Sequence, residues 1–134
     1  MRDEVLEWLN PQPGQVIADL TMGLAGHGRE IIERIGPRGR YVGFEWDAET
    51  FALAQAALGD TPHALLINAN FTELPARLAE HGLAQVDGVL LDAGPNLWQM
   101  TAAHRSLAQD SEAGCDMRLA PATQTVTAAQ LVNG

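Results

Sequence analysis

Apolar runs and segments of helical spacing alternate along most of the chain. Four short apolar runs, several of them rich in β-branched residues, predict strands at residues 16–20, 40–44, 63–67 and 86–91. Apolar residues at helical spacing predict helices at residues 1–9, 29–35, 48–58 and 73–81. Strands that alternate with helical crossovers predict a parallel sheet with helices on both faces, and therefore an α/β fold.

The pattern loosens after residue 92. Residues 101–107 predict a helical turn, residues 110–125 predict a loop, and residues 127–132 predict the start of a last helix with Thr127 as its N-cap. Because no shift in composition marks a linker, residues 1–134 are expected to form a single domain.

Composition and charge narrow the choice of partners. The net charge is −9 and every basic residue is arginine, so the chain repels phosphate at long range. Charge alone therefore disfavours RNA and favours a small molecule or a protein partner. A single cysteine, Cys115, precludes an internal disulfide and fits a cytoplasmic setting. The first residues do not fit a secretory signal, and no apolar stretch is long enough to span a membrane.

A glycine-rich turn follows the first predicted strand, at residues 19–27, and precedes a predicted helix. Small residues there let a ligand approach the backbone, and the start of a helix offers free N–H groups. The spacing is not that of the dinucleotide fingerprint G-x-G-x-x-G. Taken alone, the turn is compatible with cofactor binding and equally with an ordinary strand-to-helix connection.

Polar and aromatic residues follow the next two predicted strands. Glu45 follows the second strand, where a carboxylate can accept both hydroxyls of a ribose, and the alternative is a solvated loop carboxylate. The segment 68–71 follows the third strand, where an amide of Asn68 or Asn70 and the ring of Phe71 can recognise adenine, and the alternative is that Phe71 belongs to the core. The glycine turn and Glu45 together favour an adenosine-containing ligand at the carboxyl ends of the strands.

The loop after the fourth predicted strand offers further polar groups. Asp92 can face the cofactor or a substrate amine, and Asn96 and Gln99 supply neutral donors and acceptors. The alternative is a surface loop around a buried Trp98. His27, beside the glycines, is either a base or a structural residue. The remaining histidines lack metal-ligand spacing, so no metal site is expected.

Several short strings in these segments resemble those of one protein family. They are D-x-T-x-G-x-x-G-H at residues 19–27, G-x-E-x-D at 43–47, V-D-G-V-L-L-D-x-G at 86–94, D-M-R at 116–118 and T-A-A-Q-L-V-N at 127–133. In order and spacing they resemble the N-terminal half of the S-adenosylmethionine-dependent methyltransferases that methylate a cytosine N4 in bacterial 16S ribosomal RNA. The resemblance implies a Rossmann-like class I methyltransferase sheet, truncated to about four parallel strands with flanking helices.

The resemblance also implies which residues contact ligands, position by position. Contacts with S-adenosylmethionine fall on Asp19, Gly23, Ala25, Gly26, His27, Glu45, Phe71, Asp92 and Gln99. Asp92 and Asn96 are the candidates that orient the substrate amine, whose lone pair is drawn into the cytosine ring. The chain would then be a partial domain, the cofactor-binding half of the enzyme.

This sequence departs from the family pattern chiefly in the loop that should meet RNA. Ala25 stands where the family has glycine, Glu45 where it usually has aspartate, and Asn96 and Leu97 where it has two serines. Members of the family are also longer, so the predicted sheet would end in an open edge. A homodimer or a protein partner is expected to cover that edge.

Three functional hypotheses follow from the sequence. The first is a working ribosomal RNA methyltransferase that acts as a dimer or with a partner. The second is a non-catalytic S-adenosylmethionine-binding or regulatory module, and the third is a structural remnant that binds neither ligand. The acidic charge and the altered loop favour the second hypothesis, whereas the family resemblance favours the first.

Overall fold

The computed structural model describes residues 2–108, 111, 112 and 114–134. Its strands are β1 (Val16–Asp19), β2 (Arg40–Glu45), β3 (Ala64–Asn68) and β4 (Gly88–Leu90). Its helices are α1 (Arg2–Leu9), α2 (Gly26–Ile35), α3 (Ala48–Leu58), α4 (Leu74–Glu80), α5 (Leu97–Thr101) and α6 (Ala128–Asn133). The four strands pair in parallel in the order β3-β2-β1-β4, which confirms the predicted fold class.

Helices cover both faces of the sheet because successive strand residues point to opposite sides. On one face, Tyr41 of β2 packs in a core cluster with residues of α1, α2 and α3. On the other face, Val42 and Phe44 pack with Leu78 of α4. Two apolar residues at the β4 edge remain about half exposed, Val89 at 48% and Leu91 at 52%.

A buried tyrosine fixes the packing of α2 on the sheet. Tyr41 is fully buried, and a Cβ on Gly28 of α2 would lie 2.6 Å from its hydroxyl oxygen. A Cβ on Gly43 of β2 would lie 2.8 Å from the same ring. The two glycines therefore make the room that the ring occupies between helix and sheet.

Several predicted boundaries need correction. The helical turn predicted at residues 101–107 is wrong, because α5 ends at Thr101 and the chain then turns away. The helix predicted at 29–35 begins three residues earlier, at Gly26, and β4 is shorter than predicted. Thr127 caps α6 as predicted, since its side chain accepts the N–H of Gln130. Within the predicted loop at 110–125, Asp110 and Ala113 lie outside the described residues. The described residues include no helix long and apolar enough to cross a membrane.

Candidate functional site

A cavity of about 530 Å³ opens at the carboxyl ends of the strands. Parallel strands bring their following loops to one edge of the sheet, which is where ligands bind in open α/β folds. Most of the site residues expected from the sequence line this cavity: Gly23, Gly26, His27, Glu45, Phe71, Asp92, Asn96 and Gln99. Asp19 and Ala25, at the same turn, do not line the cavity, because both side chains are buried in the protein interior.

The glycine turn bends the chain tightly between β1 and α2. Gly23 has φ +54° and Ala25 has φ +61°, both in the left-handed region. Ala25 therefore adopts a conformation that glycine would adopt with less strain. Its methyl group lies in the core, while Gly26 at the start of α2 is exposed at the cavity. The first N–H groups of α2 have no partner within the helix and are therefore available to an anion or a polar ligand.

Asp19 supports the turn from below. Its Oδ1 accepts the N–H of Thr21 at 3.2 Å, and its Oδ2 accepts the hydroxyl of Tyr41 at 2.8 Å. Burial raises the pKa of Asp19, although these two hydrogen bonds oppose the rise. Burial and the neighbouring carboxylate also raise the pKa of Tyr41 well above its ordinary value. Asp19 therefore stabilises the turn through these two hydrogen bonds and does not line the cavity.

Glu45 joins the glycine turn to the end of β2. Its Oε2 accepts the N–H of Gly23 at 3.1 Å, and its Oε1 accepts the N–H of Asp47 at 2.8 Å. Partial burial raises the pKa of Glu45, and these N–H donors oppose that effect. Each carboxylate oxygen can accept more than one hydrogen bond, so Glu45 keeps acceptor capacity on the cavity side.

Aromatic side chains border the cavity next to Glu45. Phe71, which begins the short 3₁₀ turn Phe71–Glu73 after β3, is 38% exposed and so is not an ordinary core residue. Trp46 directly follows Glu45 and also lines the cavity. Sequence reasoning missed Trp46, although its position beside the expected ribose acceptor was a usable signal. Two such rings give a purine apolar faces to pack on.

Asp92 and Asn96 lie on the loop that follows β4. The N–H of Asp92 donates to Thr21 Oγ1 at 2.7 Å, which fixes this loop against the glycine turn, and Asp92 is itself exposed. Asn96 is the N-cap of α5, since its Oδ1 accepts the N–H of Gln99 at 2.9 Å. Its Nδ2 donates to Thr50 Oγ1 at 3.3 Å. Trp98 of α5 is half-buried and stays outside the cavity lining.

Gln99 lines the cavity, but its side chain is engaged with the protein. Its Oε1 accepts the N–H of Asn96 at 3.0 Å, which completes a capping box. Its Nε2 donates to Asp47 Oδ2 at 2.9 Å and to the carbonyl of Leu119 at 3.2 Å. Both N–H donors of the Gln99 amide and one acceptor position of its oxygen are thus occupied within the protein. Gln99 therefore holds the cavity wall in place, and these groups are not offered to a ligand.

A buried ion pair lies beside Gln99, and its carboxylate member, Asp47, also lines the cavity. Arg105 Nη1 donates to Asp47 Oδ2 at 2.9 Å, and the two side chains are only 2% and 3% exposed. Burial acts to raise the pKa of Asp47, but the hydrogen bonds from Arg105, Gln99 and Thr50 outweigh it and hold that pKa below its ordinary value. Sequence reasoning missed this pair, because its partners are far apart along the chain.

The D-M-R string organises the segment that follows. Arg118 Nη2 donates to Asp116 Oδ2 at 2.7 Å, and this bond lowers the pKa of Asp116 to about 2. Arg118 Nη1 also donates to the carbonyl of Gln124 at 2.8 Å. Ser106 Oγ accepts the N–H groups of Asp116 and Met117. These bonds shape a turn that carries Leu119 to the cavity wall.

Solved structures define the class of this fold. Protein-L-isoaspartate O-methyltransferase overlays with a TM-score of 0.58 at 14% identity, over 70% of this chain and 29% of that chain. Fibrillarin from Aeropyrum pernix, solved with natively bound S-adenosyl-L-methionine, overlays with a TM-score of 0.51 at 26% identity, over 63% of this chain and 36% of that chain. The sheet is thus that of the class I S-adenosylmethionine-dependent methyltransferases.

Sequence comparison then gives the family. The chain belongs to the MraW methylase family, whose sequence model matches residues 1–134. Ribosomal RNA small subunit methyltransferase H from Syntrophotalea carbinolica is 40% identical over 134 residues, which is 99% of this chain and 42% of that protein. The chain spans about two fifths of the length of the curated relatives that it matches.

Proposed function

We propose that this chain is the cofactor-binding part of an S-adenosylmethionine-dependent methyltransferase that acts on a cytosine N4 of small-subunit ribosomal RNA. The observation that carries the proposal is the cavity where the glycine turn, Glu45 and two aromatic residues meet. Its volume of about 530 Å³ is in the range of small-molecule sites. The names of the relatives supply the substrate class, and a ribosomal RNA substrate in turn supports a cytoplasmic location.

The residues that line the cavity fit S-adenosylmethionine. Glu45 has acceptor capacity for ribose hydroxyls, and Trp46 and Phe71 have ring faces for adenine. The free N–H groups at Gly26 and His27 fit the carboxylate of the methionine part. Asp19 and Ala25 act indirectly in this proposal, since they hold the turn in shape from below.

In the proposed reaction, the main task of the protein is to orient the cytosine amine, which is a weak nucleophile. Bound S-adenosylmethionine would supply an electrophilic methyl group on its sulfonium sulfur. Asp92, exposed on the cavity lining, can accept a hydrogen bond from the cytosine amine and can take up the proton that the amine would lose when the new N–C bond forms and the bond from the methyl group to sulfur breaks. Asn96 already caps α5 through its oxygen, so it contributes through that oxygen's second acceptor position. Alignment of the two reactants would supply most of the rate.

Titration of the purified chain with S-adenosylmethionine tests the cofactor site. We expect saturable binding that weakens by about tenfold to a hundredfold in Glu45→Ala, because charge-assisted hydrogen bonds to the ribose are lost. Glu45→Gln should bind with intermediate affinity, since an amide oxygen can still accept hydrogen bonds. The measurement is calorimetric, with circular dichroism to verify that each variant is folded.

A matched control for Glu45 is Glu33→Ala, which removes an exposed carboxylate of α2 away from the cavity. Its affinity should equal that of the unaltered chain. Absence of binding by a folded chain would exclude the proposed cofactor, and equal binding by Glu45→Ala would exclude the ribose contact. Binding without methyl transfer to ribosomal RNA would instead support a non-catalytic module.

We further propose that a second copy of the chain covers the β4 edge. Val89 and Leu91 are about half exposed there, and a two-fold axis would bury both residues in each copy. Light scattering should give twice the mass of one chain, and Val89→Lys should restore the mass of a monomer. Leu53→Lys, at an exposed apolar residue of α3, should leave the dimer intact. A monomeric unaltered chain would contradict the homodimer and favour a different protein partner.

A further inference from the structure

The carboxylate of Asp47 lies between the cavity and the segment that follows α5. Its Oδ2 accepts hydrogen bonds from Thr50 Oγ1 at 2.8 Å, from Gln99 Nε2 at 2.9 Å and from Arg105 Nη1 at 2.9 Å. Its backbone N–H donates to Glu45 Oε1 at 2.8 Å. One residue thus touches the end of β2, the start of α3, α5 and the following loop.

Arg105 extends these contacts to the far wall of the cavity. Its Nη2 donates to the carbonyl of Leu119 at 2.6 Å, and its Nη1 also contacts Glu49 Oε2 at 3.1 Å. Its guanidinium lies 6.0 Å from the ring centre of Trp98. Gln99 donates to the same carbonyl of Leu119 at 3.2 Å. The guanidinium and the amide therefore hold Leu119 at the cavity wall together.

The ion pair connects two sets of residues that the proposed function uses for different ligands. Glu45 belongs to the cofactor side, and it reaches Asp47 through a single hydrogen bond. Asn96 belongs to the substrate side, and it reaches Asp47 through Gln99 and through Thr50. A rearrangement at Gln99 or Thr50 would remove a donor from the buried Asp47 carboxylate, and one at Glu45 would break the hydrogen bond from the Asp47 backbone N–H. Each loss is costly.

We propose that Asp47 and Arg105 are a positioning pair that couples the cofactor cavity to residues 92–108 and 114–119, which carry the substrate side of the site. The inference rests on the proposed function. Neither residue is a catalytic residue here: Arg105 does not line the cavity and reaches it through Asp47 and Leu119, and the Asp47 carboxylate is occupied by donors from the protein. The pair holds the loop after β4 in the arrangement that binds cofactor, so less ordering is needed on binding.

The first test compares the unaltered chain with Arg105→Lys. Lysine keeps the positive charge, but it lacks the planar fork that reaches Asp47 and Leu119 together. We expect the Kd for S-adenosylmethionine to rise about tenfold, which corresponds to about 1.4 kcal/mol. Hydrogen–deuterium exchange should accelerate within residues 96–108 and 114–119 and stay unchanged in β1 and α2. Arg77→Lys is the matched control, because Arg77 forms exposed ion pairs on α4 with Glu73 and Glu80. It should alter neither readout.

The two readouts separate coupling from a loss of general stability. An unchanged Kd in folded Arg105→Lys would overturn the proposal, and so would faster exchange spread evenly over the whole sheet. If Arg105→Lys does not fold, Thr50→Val removes one donor to Asp47, together with the acceptor of the Asn96 amide, in a fully buried and nearly isosteric position. That variant should raise the Kd at least threefold, with the same local exchange, and an unchanged Kd would again overturn the pair.

A failure of the cofactor proposal can be distinguished from a failure of the positioning pair. If the unaltered, folded chain does not bind S-adenosylmethionine, the cofactor proposal fails on that observation alone. The exchange measurement still decides whether Arg105 holds residues 96–108 and 114–119, since it needs no ligand. Local acceleration in Arg105→Lys would then support the pair as an organiser of this wall, and no acceleration would overturn it.

Discussion

Replacing Gly28 by alanine is expected to lower the free energy of unfolding by about 2–4 kcal/mol. The added Cβ would lie 2.6 Å from the Tyr41 hydroxyl oxygen and 2.9 Å from Cζ of the same ring. Tyr41 is fully buried and donates to Asp19, so the ring cannot move away without breaking that hydrogen bond. Either α2 shifts on the sheet or a buried carboxylate loses a donor, and both are costly.

Gly26→Ala is the control for this prediction. Gly26 is the first residue of the same helix, and a Cβ there meets no atom within 4 Å. Stability should therefore stay equal or rise slightly, because alanine is the better helix former. Urea unfolding followed by circular dichroism measures both variants. In a Tyr41→Phe background the cost of Gly28→Ala should fall, since the 2.6 Å contact is gone. Equal stability of Gly28→Ala and Gly26→Ala would contradict the packing argument.

The sheet could be predicted from sequence because its signals are local. Each strand is a short apolar run, and each crossover helix has its own apolar spacing. The helix α5 escaped prediction for a physical reason. It has only five residues, and the capping box between Asn96 and Gln99 stabilises it more than any apolar period does. The apolar spacing alone therefore predicts the helical turn at residues 101–107, a few residues beyond the position of α5.

The cavity could be predicted for a related reason. Parallel strands end at one edge, so polar residues placed just after each strand must meet there. This logic brings Glu45, Phe71 and Asp92 together, as the structure does. It does not distinguish a residue that lines the cavity from one that is buried behind the lining, such as Asp19, which the family resemblance implies as a cofactor contact. It also cannot find Arg105, because no periodicity relates this arginine to a carboxylate 58 residues away.

Breaking the buried pair is the second large effect that we expect. Arg105→Met should lower the free energy of unfolding by about 3–5 kcal/mol, because it leaves the Asp47 carboxylate buried without its cation. The loss of unfolding free energy in Asp47→Leu should lie at the low end of that range, because Glu49, which is more exposed, still pairs with the guanidinium. The double variant should lose less unfolding free energy than the two single variants lose together, and the difference, the coupling energy, should be about 2 kcal/mol or more.

Urea unfolding of the four chains in this cycle gives the coupling directly, and pH provides an internal check. The pKa of Asp47 is held below its ordinary value by its donors. Its contribution to stability is therefore present above the unfolded pKa of about 4 and is lost as pH falls through the lower folded value. The coupling should shrink in acid accordingly. The same cycle at Arg77 of α4 and Glu73, which directly precedes α4, should show a coupling of about 0.5 kcal/mol or less, because both side chains are partly exposed. Additive losses at Asp47 and Arg105 near neutral pH would mean that the two side chains stabilise the fold independently, and the pair would then hold no special position between the cavity and the loop after β4.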